Sequence, residues 1–152
     1  MSDPSDAHPV TQADLNACRI LIVDDEETNV VLLRTLLERE GYDDIIGLTD
    51  PKTALATFVD RAPDLVLLDL MMPAVDGYQL LEGFGRQTAP GDFRPVLVLT
   101  ADSTASARRR ALSLGAKDFV SKPFDVVEVA LRIANLLETR ILYRRLQARS
   151  RA

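Results

Sequence analysis

Two kinds of apolar pattern alternate along the chain. Short runs rich in Val, Ile and Leu, namely RILIV (19–23), DIIGL (44–48), DLVLLD (64–69), PVLVLT (95–100) and KDFV (117–120), read as strands. Several have no polar alternation, as expected of strands buried on both faces of a parallel sheet. Between and after them, apolar residues recur at helical spacing, which predicts helices at about 27–40, 51–61, 75–87, 103–114 and 125–147. The helix ends carry their own signals. Asp50 before Pro51 is an N-cap with proline at the first helical position, and Asp125 with Glu128 three residues on fits a capping box. Gly41 and Gly115 stand where helices should stop in a left-handed conformation. Repeated right-handed βαβ crossovers place helices on both faces of the sheet, so the expected fold is α/β, a doubly wound three-layer sandwich.

The ends of the chain read differently. MSDPSDAHPVTQADLNA is polar and acidic, and residues 1–17 are expected to be a disordered leader before a domain at 18–138. The final helix carries a core stripe of Val126, Val129, Ala130, Ile133, Leu136 and Leu137. Ile141, Leu142 and Leu146 then continue the apolar spacing through an extension at 139–152. Two accounts stay open: an overlong terminal helix, or, as preferred here, a helical linker that leads to an output module or pairs two copies as a homodimer.

Composition narrows the classes. With 152 residues, 47% of them apolar, one compact core is expected. Eighteen basic against 23 acidic residues give a formal charge of −5, which argues against nucleic-acid binding by this domain. Cys18 is the single cysteine, so no internal disulfide or Cys-based zinc site forms, and a reducing, cytoplasmic setting is expected. No stretch approaches the roughly 20 apolar residues that span a bilayer, so no membrane partner is expected.

In a parallel sheet every strand ends on one edge, and ligands bind there. The first predicted strand ends in Asp24, Asp25 and Glu26, the third in Asp69 and the fourth in Thr100, while Ser121, Lys122 and Pro123 follow the fifth. Carboxylates about 4 Å apart repel by roughly 4 kcal/mol per pair at an effective dielectric near 20, so such a cluster should either protonate or recruit a cation, and a divalent metal is the natural answer. Oxygen donors without His or Cys favour Mg²⁺ or Mn²⁺, and Mg²⁺ typically shares its shell with water and a phosphate oxygen. Lys122 then suits a phosphate oxygen, Thr100 a hydroxyl donor, and Asp69 a nucleophile that becomes an aspartyl phosphate.

The stretches ILIVDDEETN, DLVLLDLMMPAVDGYQLL, PVLVLTA and GAKDFVSKPF resemble, in order, the four signature blocks of response-regulator receiver domains of two-component systems, over residues 19–137. The resemblance implies a flavodoxin-like five-stranded sheet in order 2-1-3-4-5. It implies Asp69 as phosphoacceptor and Asp24, Asp25, Asp69 and the Met71 carbonyl as metal ligands. Thr100 and Lys122 become the phosphate-binding pair, Phe119 the aromatic switch residue and Lys122–Pro123 a cis peptide. The implied donor is a phosphohistidine on a sensor histidine kinase or a histidine phosphotransfer protein. Such a domain is not a turnover enzyme, although it assists its own phosphorylation and dephosphorylation. Its response would appear on the surface of the fourth predicted helix, the fifth strand and the last helix. The segment NLLETRILYRRLQ resembles linkers that join receivers to output domains, including those acting on cyclic dinucleotides.

Other classes fit less well. A haloacid-dehalogenase-type phosphatase wants an Asp two residues after its nucleophile, where this chain has Met71. A flavodoxin-type cofactor loop would meet repulsion from DDEE. A receiver-like module signalling without phosphate would have no use for the acidic pocket. Arg108, Arg109 and Arg110 read as a solvated face, and Asp102 either repels the phosphate or caps the adjacent helix.

Overall fold

The computed structural model describes residues 8–151. Five strands, β1 (Arg19–Val23), β2 (Asp44–Leu48), β3 (Leu65–Leu68), β4 (Val96–Thr100) and β5 (Asp118–Ser121), form one parallel sheet in order β2-β1-β3-β4-β5. Six helices accompany them: α1 (Gln12–Asn16), α2 (Glu27–Arg39), α3 (Ala54–Arg61), α4 (Gly77–Arg86), α5 (Ala105–Ser113) and α6 (Val126–Arg151). A 3-10 turn at Pro51–Thr53 leads into α3.

The apolar runs are explained by which way each side chain faces. Successive strand residues point to opposite faces. Ile20 and Ile22 of β1, with Leu65, Leu67, Leu97 and Leu99, pack under α2 and α6; Leu21 and Val23, with Val66, Leu68, Val96 and Val98, pack under α3, α4 and α5. Both faces are covered, so the central strands cannot alternate with polar residues. The register pairs Val23 with Leu68 and Leu68 with Val98, which brings the ends of β1, β3 and β4 together on one edge.

The predicted helix ends hold with one exception. Asp50 accepts the Lys52 amide, and Gly41 and Gly115 adopt φ of 96° and 112°. Asp125 accepts the amides of Val127 and Glu128, but Glu128 turns to Arg132 instead of closing the capping box. A guanidinium one turn along outcompetes a backbone amide for that carboxylate.

Part of the expected leader is ordered. Thr11 and Asp14 form a reciprocal capping box that starts α1, and Leu15 joins the core, so disorder does not extend over residues 8–17. The rest of that expected leader, residues 1–7, lies outside the described residues. The terminal helix is also longer than the 125–147 predicted. Beyond residue 139 it returns to its own domain: Ile141 packs against the core, while Leu142 and Leu146 stay exposed. Among the described residues, no helix is long and apolar enough to cross a membrane.

Candidate functional site

The order β2-β1-β3 reverses the direction of winding between β1 and β3, and the crevice at such a reversal is where doubly wound sheets bind ligands. Asp24 follows β1 and Asp69 follows β3, side by side, held by the Asp69 amide donating to the Val23 carbonyl at 3.0 Å. Each carboxylate is aimed by its own backbone. Asp24 Oδ1 accepts the Glu26 amide and Asp69 Oδ1 the Met71 amide, both at 3.0 Å, in the Asx-turn geometry that Asp favours. That leaves each Oδ2 turned to Lys122, whose Nζ lies 2.9 Å from Asp24 and 3.4 Å from Asp69. One oxygen each from Asp24, Asp25 and Asp69 lies within 4.8 Å of the others.

Asp24 and Asp69 are buried and Asp25 is half-buried. Burial holds the Asp69 carboxyl above the usual carboxylate range, and the Asp24 charge adds to that; the Met71 amide and Lys122 only partly offset it. Burial alone would lower the Lys122 ammonium, but its bonds to Asp24 and Asp69 outweigh burial and raise it. The cluster therefore holds three carboxylates against one ammonium, with Asp69 the group that burial penalises. That donor set fits a hard dication.

The fourth and fifth strands complete the edge. Thr100 ends β4, accepts the Lys122 amide at 2.8 Å through its carbonyl, and is wholly buried. Among the described residues, its Oγ1 is the buried side-chain polar atom with no hydrogen-bond partner. Lys122–Pro123 is cis. Phe119 is already buried in the core against α5, with the Arg108 guanidinium 5.8 Å from its ring centroid. Asp102 does not cap α5 directly: its Oδ1 accepts the amide and hydroxyl of Thr104, and Thr104 caps the helix through the Ala107 amide. Arg110 lies 3.9 Å over the Tyr78 ring, so the basic run is not wholly solvated.

Of the residues expected at the site, Asp24, Asp25, Asp69, Met71, Thr100 and Lys122 fall on this edge, whereas Phe119 lies in the core. Met71 is 57% exposed, so its side chain does no core packing, whereas Met72 joins the core. Gly77 shapes the turn that follows. A Cβ there would stand 2.5 Å from Leu70 Cα and 2.8 Å from its carbonyl oxygen, so only glycine lets the loop after Asp69 close against α4. Asp76 caps that helix through the Tyr78 amide.

The fold and the edge together define a doubly wound α/β domain with an acidic cluster opposed by a lysine. The chain belongs to the response regulator receiver domain family, whose model matches residues 20–134. It is 40% identical over 119 residues to the alkaline phosphatase synthesis transcriptional regulatory protein PhoP of Bacillus subtilis, covering 78% of this chain and 48% of that one. It is 39% identical to the phosphate regulon transcriptional regulatory protein PhoB of Rhizobium meliloti, covering 78% and 52%. Among solved structures, the Francisella response regulator 1452 receiver domain matches with a TM-score of 0.72 at 28% identity, covering 80% of this chain and 98% of that one. NtrX from Brucella abortus matches with a TM-score of 0.76 at 34% identity, covering 87% and 29%. The chain spans about half the length of the curated relatives it matches.

Proposed function

We propose that Asp69 accepts a phosphoryl group from a phosphohistidine on a sensor histidine kinase or a histidine phosphotransfer protein. The metal would be Mg²⁺, with Mn²⁺ as a substitute, held by Asp24, Asp25, Asp69 and the Met71 carbonyl. The observation that carries this reading is the unbalanced edge: three carboxylates within 4.8 Å, one ammonium, and a buried hydroxyl without a partner.

An Asp69 oxygen attacks phosphorus in line, and the P–N bond to the donor imidazole breaks. The electron pair returns to the ring nitrogen, and an acyl phosphate forms on Asp69. Lys122, already within 3.4 Å of Asp69, is placed to neutralise a phosphoryl oxygen. A dication held by Asp24, Asp25 and Asp69 would neutralise charge on the carboxylates and phosphoryl oxygens. The Glu26 and Met71 amides keep Asp24 and Asp69 oriented throughout. The product dianion gives the Thr100 hydroxyl the acceptor it lacks, and movement of Thr100 shifts its neighbours, Phe119 among them. The population shift then reaches α5, β5 and α6, where a partner reads it.

Incubation with Mg²⁺ and acetyl phosphate or phosphoramidate, followed by intact mass measurement, tests the reading. One phosphoryl mass is expected on the wild-type chain and none on Asp69→Asn; no gain with any donor removes the proposal. Homodimer formation through α6 keeps one supporting observation, the exposed pair Leu142 and Leu146. Sedimentation should then give a dimer for the wild type and a monomer for Leu142→Glu with Leu146→Glu; identical masses count against pairing through this helix.

A further inference from the structure

Two segments outside the family-matched stretch 20–134, at the N-terminal and C-terminal ends of the described chain, fold onto the edge of the sheet opposite Asp69. Asp64, just before β3, is the anchor. Its Oδ2 accepts the Arg19 amide at the start of β1 at 2.9 Å, and its Oδ1 accepts Arg140 Nε at 3.2 Å and Arg144 Nη1 at 3.4 Å. Arg140 Nη1 also donates to Asp92 Oδ1 at 2.7 Å and to the Phe93 carbonyl at 3.1 Å. One turn on, Tyr143 stacks on Phe93 with ring centroids 5.1 Å apart, and a turn further Gln147 reaches Asp92 and the Gly91 carbonyl. From the other side, Arg145 donates to the His8 carbonyl at 2.8 Å and to Asp14 at 3.4 Å, and the capping box with Thr11 fixes Asp14 in α1.

We propose that these contacts form a strap and latch that make α6 beyond residue 139 a rigid arm of the receiver, and that opening the latch turns the arm into a loose tether. A dozen helical residues projecting alone into water would be marginal as a helix. Here successive turns are gripped by charge-assisted bonds, and Arg140 gives up nearly all its hydration to make them, being 9% exposed. The grip comes from two places distant in sequence, the 64/92 carboxylates and the N-terminal strap, so the arm docks only when the whole edge is assembled. Anything joined after residue 151, or a second copy meeting Leu142 and Leu146, would then be presented in a fixed direction relative to the sheet. None of these groups belongs to the phosphoacceptor edge, so the proposal stands apart from the chemistry at Asp69.

Hydrogen exchange on the full chain tests it, by comparing amides 140–147 with the helix stem at 129–137. In the wild type the two stretches should exchange at similar rates. In Asp92→Asn combined with Arg145→Ala, exchange at 140–147 should rise roughly ten- to a hundredfold while β1, β3 and the stem keep their rates. If the double variant fails to fold, Arg145→Ala alone, which breaks only the strap contact, should raise the same amides a few-fold. Exchange at 140–147 in the wild type as fast as in a free peptide, or no acceleration in the folded variants, overturns the latch.

Discussion

At the C-terminal ends of the strands, Asp24, Asp25 and Asp69 face one ammonium, Lys122; at the N-terminal ends, Asp64 and Asp92 face two guanidiniums, Arg140 and Arg144. The first edge carries three negative charges against one positive, with a buried hydroxyl idle beside them. At the second each carboxylate has a guanidinium partner with Arg94 close by, and the Asp64 oxygens are shared among a backbone amide and two guanidiniums. Both edges bury carboxylates, so burial of charge alone does not mark a functional site. Imbalance does: the satisfied edge is complete as it stands, whereas the other holds carboxylates in excess of counter-charge and a buried hydroxyl without a partner. Stability and function are thereby assigned to opposite ends of the same strands.

The largest expected effect breaks the satisfied edge. Arg140→Met removes the group shared by Asp64 and Asp92 and leaves buried carboxylates short of a counter-charge. Breaking such a pair costs about 3 kcal/mol. Urea unfolding should show that loss while Asp69 still gains its phosphoryl mass; a loss below about 0.5 kcal/mol, as for an exposed pair, would erase the distinction between the edges.

The next effects come from the unsatisfied edge and run the other way. Saturating Mg²⁺ at a hundred times its dissociation constant should stabilise the wild type by about 2.7 kcal/mol, seen as a rise in thermal midpoint that Asp25→Asn diminishes. Without metal, Asp69→Asn should be more stable than the wild type at pH 7, on the order of 1 kcal/mol, because it removes a charge that burial and Asp24 oppose. The folded Asp69 holds its proton above the ordinary value of 3.8. Its contribution to stability is therefore full below that pH and lost as pH rises through its own elevated value. The advantage of the Asn variant should accordingly vanish in acid; an advantage that persists at low pH would point to a cause other than charge.

The difference between the edges also explains what the sequence made legible. The strands stood out because both their faces are buried, and the phosphoacceptor edge stood out because strand C-termini share one side of a parallel sheet. The run DLVLLD shows the limit of this logic: it has an Asp at each end, and only strand direction tells Asp69, on the acidic edge, from Asp64, on the opposite one. Arg140 binds Asp64 from 76 residues away, a partnership with no local signal. The first helix was missed because five residues are too few for periodicity, although Thr11 and Asp14 spell its capping box. Phe119 was legible as a switch position only through the family resemblance, and its burial against α5 depends on packing that no motif encodes.

The smallest expected effect separates the edges most finely. Thr100 Oγ1 is buried without a partner, and an unbonded buried hydroxyl carries a desolvation cost that its removal recovers. Thr100→Val, close to it in shape, should therefore stabilise the phosphate-free domain by about 0.5–1 kcal/mol in urea unfolding. The same variant should lose the response of α5 and β5 to beryllofluoride, a phosphoryl mimic, because the hydroxyl that would meet the new anion is gone. A gain in stability without loss of response would make Thr100 an ordinary strand residue. A loss of stability would mean the hydroxyl is already satisfied, and the edge around Asp69 would then be as complete as the one around Asp64.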